Sequence, residues 1–349
     1  MRGRTGAVRS GKENVENLPE KNALSSAPNC VILFGPTACG KTAIGVAIAR
    51  ERNGEIISAD SRQVYKGLDI GSGKDLDEYS SGGKAVPYHL IDITDLKSEY
   101  NVFQYQKDFY RVFTDVAARK KLPVVVGGTG MYLDAVIRNY DLVEVPENGR
   151  RRAELEAKPL EELASLLLFL KPDLHTREDL RDKARCIRAI EIAEYMQSPE
   201  AALMRKTMPG RPDIRLLVIG TTLLREELRE RIADRLKVRL DSGMIEEVET
   251  LHKDGASWQR LERLGLEYKF VAEYLQGKIA SRDELYEKLN VAIRRFAKRQ
   301  ETWFRGMERK MKTQGAAVHW LPCVSDVAAR TRAALSLIDA YIETDGARY

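Results

Sequence analysis

Residues Gly35, Pro36, Thr37, Ala38, Cys39, Gly40, Lys41 and Thr42 satisfy the phosphate-loop pattern G-x-x-x-x-G-K-[ST] at every fixed position. Such a loop constrains the fold because it needs a strand before it and a helix after it. Cys30 to Phe34 is a short apolar run of buried-strand type, and Ala43 to Arg50 carries apolar residues at helical spacing, Ile44, Ala47 and Ile48. In this arrangement backbone N–H groups and a helix N-terminus point at a bound phosphate. Lys41 supplies a point charge to the terminal phosphates and Thr42 a hydroxyl for Mg2+. The chain therefore handles a di- or triphosphate.

Further strand-type runs recur at Glu55–Ala59, His89–Ile93, Pro123–Val126, Ile214–Gly220 and Val318–Leu321, mostly separated by helical patterns. This alternation predicts an α/β fold: a P-loop NTPase-like, mostly parallel sheet with helices on both faces. The pattern breaks between Pro146 and Pro209, where a charged stretch without strand signal reads as an all-helical insertion. The expected organisation is a flexible tail (1–28), a first core segment (29–145), the insertion (146–209), a second core segment with long helices at Arg225–Leu251 and Arg282–Lys312 (210–325), and a C-terminal helix or tail (326–349).

With 349 residues, 43% hydrophobic and 31% charged, the chain is long enough for a large buried core. No apolar run approaches the ~18 residues of a membrane span. The N-terminus lacks a secretory apolar stretch, and Glu13, Glu16 and Glu20 argue against a transit peptide. Cys30, Cys39, Cys186 and Cys323 show no metal spacing. A reducing, cytoplasmic location is expected, with no membrane partner. The net charge of +5 permits a polyanionic partner without requiring one.

In parallel sheets ligands sit beyond the carboxyl ends of the strands. The second strand runs into Asp60-Ser61-Arg62-Gln63, so Asp60 falls near the phosphate loop, where it can hold Mg2+ through water, take a proton from a nucleophile or cap a helix. The fourth strand runs into Gly127-Gly128-Thr129-Gly130 where a motor-type ATPase carries an acid. Thr129 offers a neutral hydroxyl there, in a site or in a plain turn. Asp69 to Asp75 reads as a surface loop with an exposed Lys74. Arg181, Arg185 and Arg188 share one face of an expected helix, with Arg150-Arg151-Arg152 in the same segment. Arg294, Arg295, Lys298, Arg299, Arg305, Arg309, Lys310 and Lys312 crowd another helix, interleaved with Phe296, Trp303 and Phe304. Solvated helix faces explain either cluster taken alone; two clusters on a phosphate-loop chain favour a polyanion.

Together these residues resemble the tRNA dimethylallyltransferase (tRNA isopentenyltransferase) family over Val31 to Trp320. The segments that carry the likeness are Gly35–Thr42, Asp60–Gly71, Tyr88–Asp92, Val126–Tyr132, Arg185–Glu191, Gly265–Lys269 and Ala297–Arg305. The sequence departs from the family pattern at Ser72-Gly73-Lys74-Asp75, at Cys39, at Arg181 and at Leu266-Glu267. The resemblance implies transfer of a dimethylallyl group from dimethylallyl diphosphate to N6 of an adenosine beside the anticodon of tRNA. It implies that the loop holds the leaving diphosphate with Mg2+ on Thr42, and that Cys39 faces the loop interior or solvent. It also implies an arginine on the diphosphate from the helix after the insertion. Arg225, Arg231 and Arg235 are the candidates, with Arg231 carried among the diphosphate residues. Asp60 matches the general base and Thr129 a residue of the reaction channel. Ser61, Arg62 and Gln63 match the segment on the target base, and Arg185 and Arg188 a segment on the tRNA anticodon arm. No Cys/His cluster follows Cys323, which implies a bacterial-type enzyme without the zinc finger of eukaryotic cytosolic and nuclear members; a monomer is the expected state. An adenylate isopentenyltransferase, a small-molecule kinase and a nucleotide-switched RNA-binding protein remain as alternatives.

Overall fold

The computed structural model describes residues 27–172, 178–207 and 210–343. Most of the expected N-terminal tail, Pro209 and the last six residues lie outside the described residues. The first half contains β1 (Cys30–Phe34), α1 (Lys41–Glu51), β2 (Gly54–Ala59), α2 (Asp77–Ser80), β3 (Tyr88–His89), α3 (Val102–Ala118), β4 (Leu122–Gly127) and α4 (Gly130–Ile137). Four helices follow: α5 (Gly149–Glu156), α6 (Leu160–Leu170), α7 (Lys183–Met196) and α8 (Pro199–Thr207). The chain then forms β5 (Leu216–Gly220), α9 (Arg225–Asp241), α10 (Met244–Lys253), α11 (Trp258–Glu262) and α12 (Leu266–Leu275). It ends with α13 (Arg282–Thr313), β6 (Val318–Trp320) and α14 (Val327–Glu343).

The 6 strands form one sheet in the order β3-β2-β4-β1-β5-β6, and every neighbouring pair is parallel. Side chains alternate across it. Cys30, Ile32 and Phe34 meet Tyr105 and Phe109 of α3 and Phe304 of α13 on one face. Val31 and Leu33 meet Ile44 and Ile48 of α1 and Ala334 and Ile338 of α14 on the other. Alternate residues of one strand thus serve two cores, which is why the strands read as continuous apolar runs. A third cluster, built from α9, α10, α12 and α13, reaches Cys39, Val64 and Tyr65 beyond the strand ends. Helices α5–α7 enclose a small core of their own around Leu155, Leu163, Leu167, Cys186 and Ile190.

The structure corrects three expectations. The strand expected at His89–Ile93 is only Tyr88–His89, because Leu90 and Asp92 take positive φ angles of 62° and 55°. Pairing ends where the backbone leaves the extended region. The pattern Arg225–Leu251 is two helices, broken at Gly243, whose φ of 99° suits a residue without a side chain. Arg181 lies ahead of α7, whose N-cap Asp182 accepts from the Arg185 N–H at 2.9 Å, so Arg181 does not share the helix face with Arg185 and Arg188. Among the described residues no helix is long and apolar enough to cross a membrane.

Candidate active site

The loops after β1, β2, β4 and β5 all emerge at one edge of the sheet, as strand direction requires. The phosphate loop turns through Ala38 (φ 62°) and Gly40 (φ 81°) into α1. The N–H groups of Cys39, Gly40, Lys41 and Thr42 donate to no protein acceptor among the described residues. The first bond of the turn runs from Ile44 N to Gly40 O at 3.4 Å. Unspent donors converging on one concave loop are an anion site. Lys41 Nζ donates to Pro36 O at 3.0 Å, which stows the cation at the loop rim. The Thr42 hydroxyl has no hydrogen bond among the described residues, so it is free to join an oxygen-ligated Mg2+, which such a hydroxyl fits. No cluster of three or more His, Cys, Asp or Glu poised for a metal occurs among the described residues.

Close packing fixes the loop. A Cβ on Gly35 would lie 2.3 Å from Thr221 O, so only glycine lets β1 pass the end of β5. Gln300 of α13 is buried and binds two loops at once: it accepts from Thr37 N at 2.9 Å and donates to Gly128 O at 2.9 Å. A Cβ on Gly128 would sit 3.4 Å from Gly35 O and 3.6 Å from Lys41 Cε, so the β4 loop lies against the phosphate loop. The sequence placed Gln300 in a matching segment but gave it no role. Its signal was one uncharged amide in the run Lys298-Arg299-Gln300-Glu301.

Asp60 directly follows β2 and is half-buried. Its Oδ1 accepts from Arg62 N at 2.8 Å, closing an Asx turn, and Oδ2 has no hydrogen bond among the described residues. The turn is tied to the β4 loop twice, by Thr129 N to Ala59 O at 3.1 Å and by Ser61 N to Thr129 Oγ1 at 2.9 Å. A continuous path therefore leads from Lys41 through Gly128 and Thr129 to Ser61 and Asp60. Gln63 uses both ends of its amide within the protein, accepting from Ser58 Oγ at 2.9 Å and donating to Gly73 O at 3.0 Å.

Lys74 is not exposed: only 1% of its side chain meets solvent. Nζ donates to Tyr65 O at 2.8 Å and pairs with Asp69 at 2.5 Å and with Asp92. A buried ammonium needs such partners, and these pin the segment after Asp60. Cys39 is likewise fully buried, turned away from solvent into the apolar cluster under α9 and α12. Both side chains sit in polar-looking stretches, and only tertiary packing covers them.

Of the three candidate arginines, Arg231 lies beside the loop, its Nη1 3.8 Å from the position of a Cβ on Gly40, while Nη2 donates to Ser325 O at 3.0 Å. Arg235 pairs with Asp75 at 2.8 Å, and Arg239 lies 3.7 Å from the same carboxylate. Arg225 starts α9 on its exposed surface. A small pocket beside Thr37 and Ala38 is lined by Ile232, Arg235, Leu236, Arg239, Glu267 and Ile293. Loss of water around it, with Arg235 close by, pulls Arg239 down to about 10. Desolvation pushes Glu267 above the usual carboxylate range. Two segments that depart from the family pattern, Ser72–Asp75 and Leu266-Glu267, thus meet around Arg235 and Arg239.

The basic segments divide. Arg151 and Arg152 pair with Glu194 at 2.6 Å and Glu191 at 2.7 Å, clipping α5 to α7 rather than facing out. Arg188 pairs with Glu191 at 3.2 Å and donates to Val145 O at 2.9 Å, while Arg185 is exposed. On α13, Phe304 is buried but Phe296 and Trp303 are 38% and 42% exposed beside Arg295, Lys298 and Arg299. A Cβ on Gly130 would lie 2.4 Å from Trp303 Cδ1, so this aromatic and basic face borders the β4 loop.

The model of the IPP transferase family matches residues 63–307. A "tRNA dimethylallyltransferase 2" of Treponema denticola is 54% identical over 300 residues, 86% of this chain and 97% of that protein. The chain belongs to the tRNA dimethylallyltransferase family. A second family member, from Trichlorobacter lovleyi, is 50% identical over 312 residues, covering 89% of this chain and 98% of the relative. The full-length tRNA isopentenylpyrophosphate transferase of Bacillus halodurans has a similar structure, with a TM-score of 0.64, 32% identity, and coverage of 91% of this chain and 98% of that one. As a tRNA dimethylallyltransferase family member the chain is an enzyme, and the six-stranded sheet carries the P-loop NTPase-like fold expected of it.

Proposed function

We propose that this enzyme transfers the dimethylallyl group of dimethylallyl diphosphate to N6 of an adenosine adjacent to the anticodon in tRNA and releases diphosphate. The observation that carries the proposal is the path Lys41–Gly128–Thr129–Ser61–Asp60, which sets an anion cradle beside a carboxylate with an unused oxygen. In this reading the adenine N6 lone pair forms a bond to the allylic C1 as the C1–O bond breaks. The bonding pair leaves with the diphosphate oxygen, and Asp60 Oδ2 takes the N6 proton. The loop N–H groups, Lys41 and Arg231 stabilise the charge that develops on the leaving group. Thr42 would hold Mg2+, which when bound would add positive charge beside the diphosphate. The target base leaves its stack to reach Asp60, a step that costs least in a single-stranded loop. The exposed Trp303 and Phe296 among the α13 cations, with Arg185 on α7, offer a face for the RNA backbone and its bases.

The Gly-Gly-Thr sequence at the end of β4 supports this reading over phosphoryl transfer, because no carboxylate stands where a hydrolytic enzyme places one. Incubation with labelled dimethylallyl diphosphate tests it. Label recovered in tRNA supports it. Label recovered in AMP or ADP replaces it with cytokinin synthesis, and ATP-dependent phosphorylation without prenyl transfer overturns it.

A further inference from the structure

We infer that Arg330, on the first turns of α14, is a positioning residue for the leaving diphosphate and acts by holding the phosphate loop from its outer side. The proposal rests on the diphosphate reading of the loop given above. Arg330 is 0% exposed, yet it comes from a helix that follows the last strand and lies far from the loop in sequence. Its Nη1 donates to Cys39 O at 2.6 Å and to Thr221 Oγ1 at 3.1 Å. It forms no ion pair among the described residues, and Nε and Nη2 are buried without a hydrogen-bond partner. Nη2 lies 3.3 Å from the position of a Cβ on Gly40, and Arg231 Nη1 lies 3.8 Å from the same point.

The peptide group links this geometry to phosphate. The Cys39–Gly40 peptide is planar, so its C=O and N–H point in opposite directions. A guanidinium that grips Cys39 O from outside aims the Gly40 N–H at the concave side, where it has no protein partner. Gly40 sits at φ 81°, a conformation a flexible loop leaves easily, so the grip selects one orientation of this peptide. The Thr221 bond ties the same guanidinium to the end of β5, and Thr221 N donates to Phe34 O at 2.9 Å, so the holder is itself fixed to the sheet.

Charge supports the same conclusion. Burying a cation without a counter-ion is costly, and burial here lowers the affinity of Arg330 for its proton. Arg330 and Arg231 from separate helices converge behind Gly40; the nearby Glu227 carboxylate pairs with Arg231 at 3.3 Å and forms no ion pair with Arg330 among the described residues. Two guanidinium groups against one carboxylate leave net positive charge behind the loop, and a diphosphate in the cradle would balance it. The C-terminal helix, which reads in sequence as a peripheral element, is therefore part of the leaving-group site.

The test compares full-length wild type, Arg330→Met and Arg330→Lys by calorimetric titration with Mg2+ and inorganic pyrophosphate, and separately with unmodified tRNA. The expected result for Arg330→Met is a pyrophosphate Kd raised roughly ten- to a hundred-fold, the effect of misaiming one or two bonds to a charged group, with tRNA Kd unchanged. Arg330→Lys restores part of the loss, and it carries the comparison if Arg330→Met does not fold. Unchanged pyrophosphate affinity in a folded variant overturns the inference. Equal loss of pyrophosphate and tRNA binding also overturns it, because that marks a general packing role. Wild type that fails to bind pyrophosphate, with Lys41→Ala indistinguishable from it, overturns the diphosphate reading instead.

Discussion

The Thr129 hydroxyl accepts a hydrogen bond from the Ser61 N–H at 2.9 Å, joining the end of β4 to the turn that carries Asp60. Because the β4 loop also lies against the phosphate loop through Gly128 and Gln300, this bond, with that from Thr129 N to Ala59 O, sets the carboxylate relative to the anion cradle. Thr129→Val removes the acceptor while keeping the shape. It is expected to lower kcat with little change in melting temperature, whereas Thr129→Ser retains most activity. Steady-state kinetics beside thermal melts check both.

Asp60→Asn keeps the oxygen that closes the turn on Arg62 N but cannot take the N6 proton. The expected outcome is a fall in kcat of about 10²–10⁴-fold, the range for losing a general base, with tRNA Kd within a few-fold of wild type. Parallel losses in turnover and affinity would make Asp60 a binding group.

Lys74→Met deletes the centre of a buried network and leaves Asp69, Asp92 and Tyr65 O without their shared donor. Breaking such a network costs about 3 kcal/mol, the low end of the range for buried pairs because both carboxylates keep some solvent. Chemical denaturation measures this. Activity is expected to fall as well, since the network backs the loop that holds Gln63 through Gly73 O.

For the RNA face, Arg185→Ala is expected to weaken tRNA binding and to reduce the log–log salt slope by about 0.7–0.9, the value for one phosphate contact. Arg188→Ala is expected to cost stability too, because its guanidinium holds Glu191 and Val145 O. A salt titration of tRNA binding separates the two. An unchanged slope for both places the RNA elsewhere.

Glu55 lies near the start of β2, at the end of the strand away from the site. Its hydrogen bond from Arg119, with a smaller share from His89, holds its carboxyl below the ordinary value of 4.5 despite burial. A lowered acid contributes stability that is full above its unfolded value and is lost as pH falls through its folded value. The melting-temperature gap between wild type and Glu55→Gln is therefore expected to be constant near neutrality and to close below about pH 4.5. Activity at pH 7 is expected to change little.

Much of this molecule is legible in the sequence because its strands are buried on both faces and stand out as apolar runs. The phosphate loop, Asp60 and Thr129 are legible because strand direction alone brings their loops to one edge. What sequence hides depends on partners distant along the chain. Lys74 reads as a loop cation until Asp69 and Asp92 close over it. Gln300 reads as a helix-surface amide until two loops meet it, and Arg330 as one charge on a terminal helix until α14 packs on α1. The break at Gly243 lay inside one continuous apolar pattern, where helical periodicity resumes after the turn and masks it.

Mass spectrometry of tRNA nucleosides after reaction with wild type and with Asp60→Asn tests the central claim most directly. The account predicts a prenylated adenosine from the wild type with release of one diphosphate per transfer, and almost none from Asp60→Asn at equal tRNA occupancy. Unmodified adenosine from the wild type in the presence of dimethylallyl diphosphate, Mg2+ and tRNA, or full modification by Asp60→Asn, would contradict it.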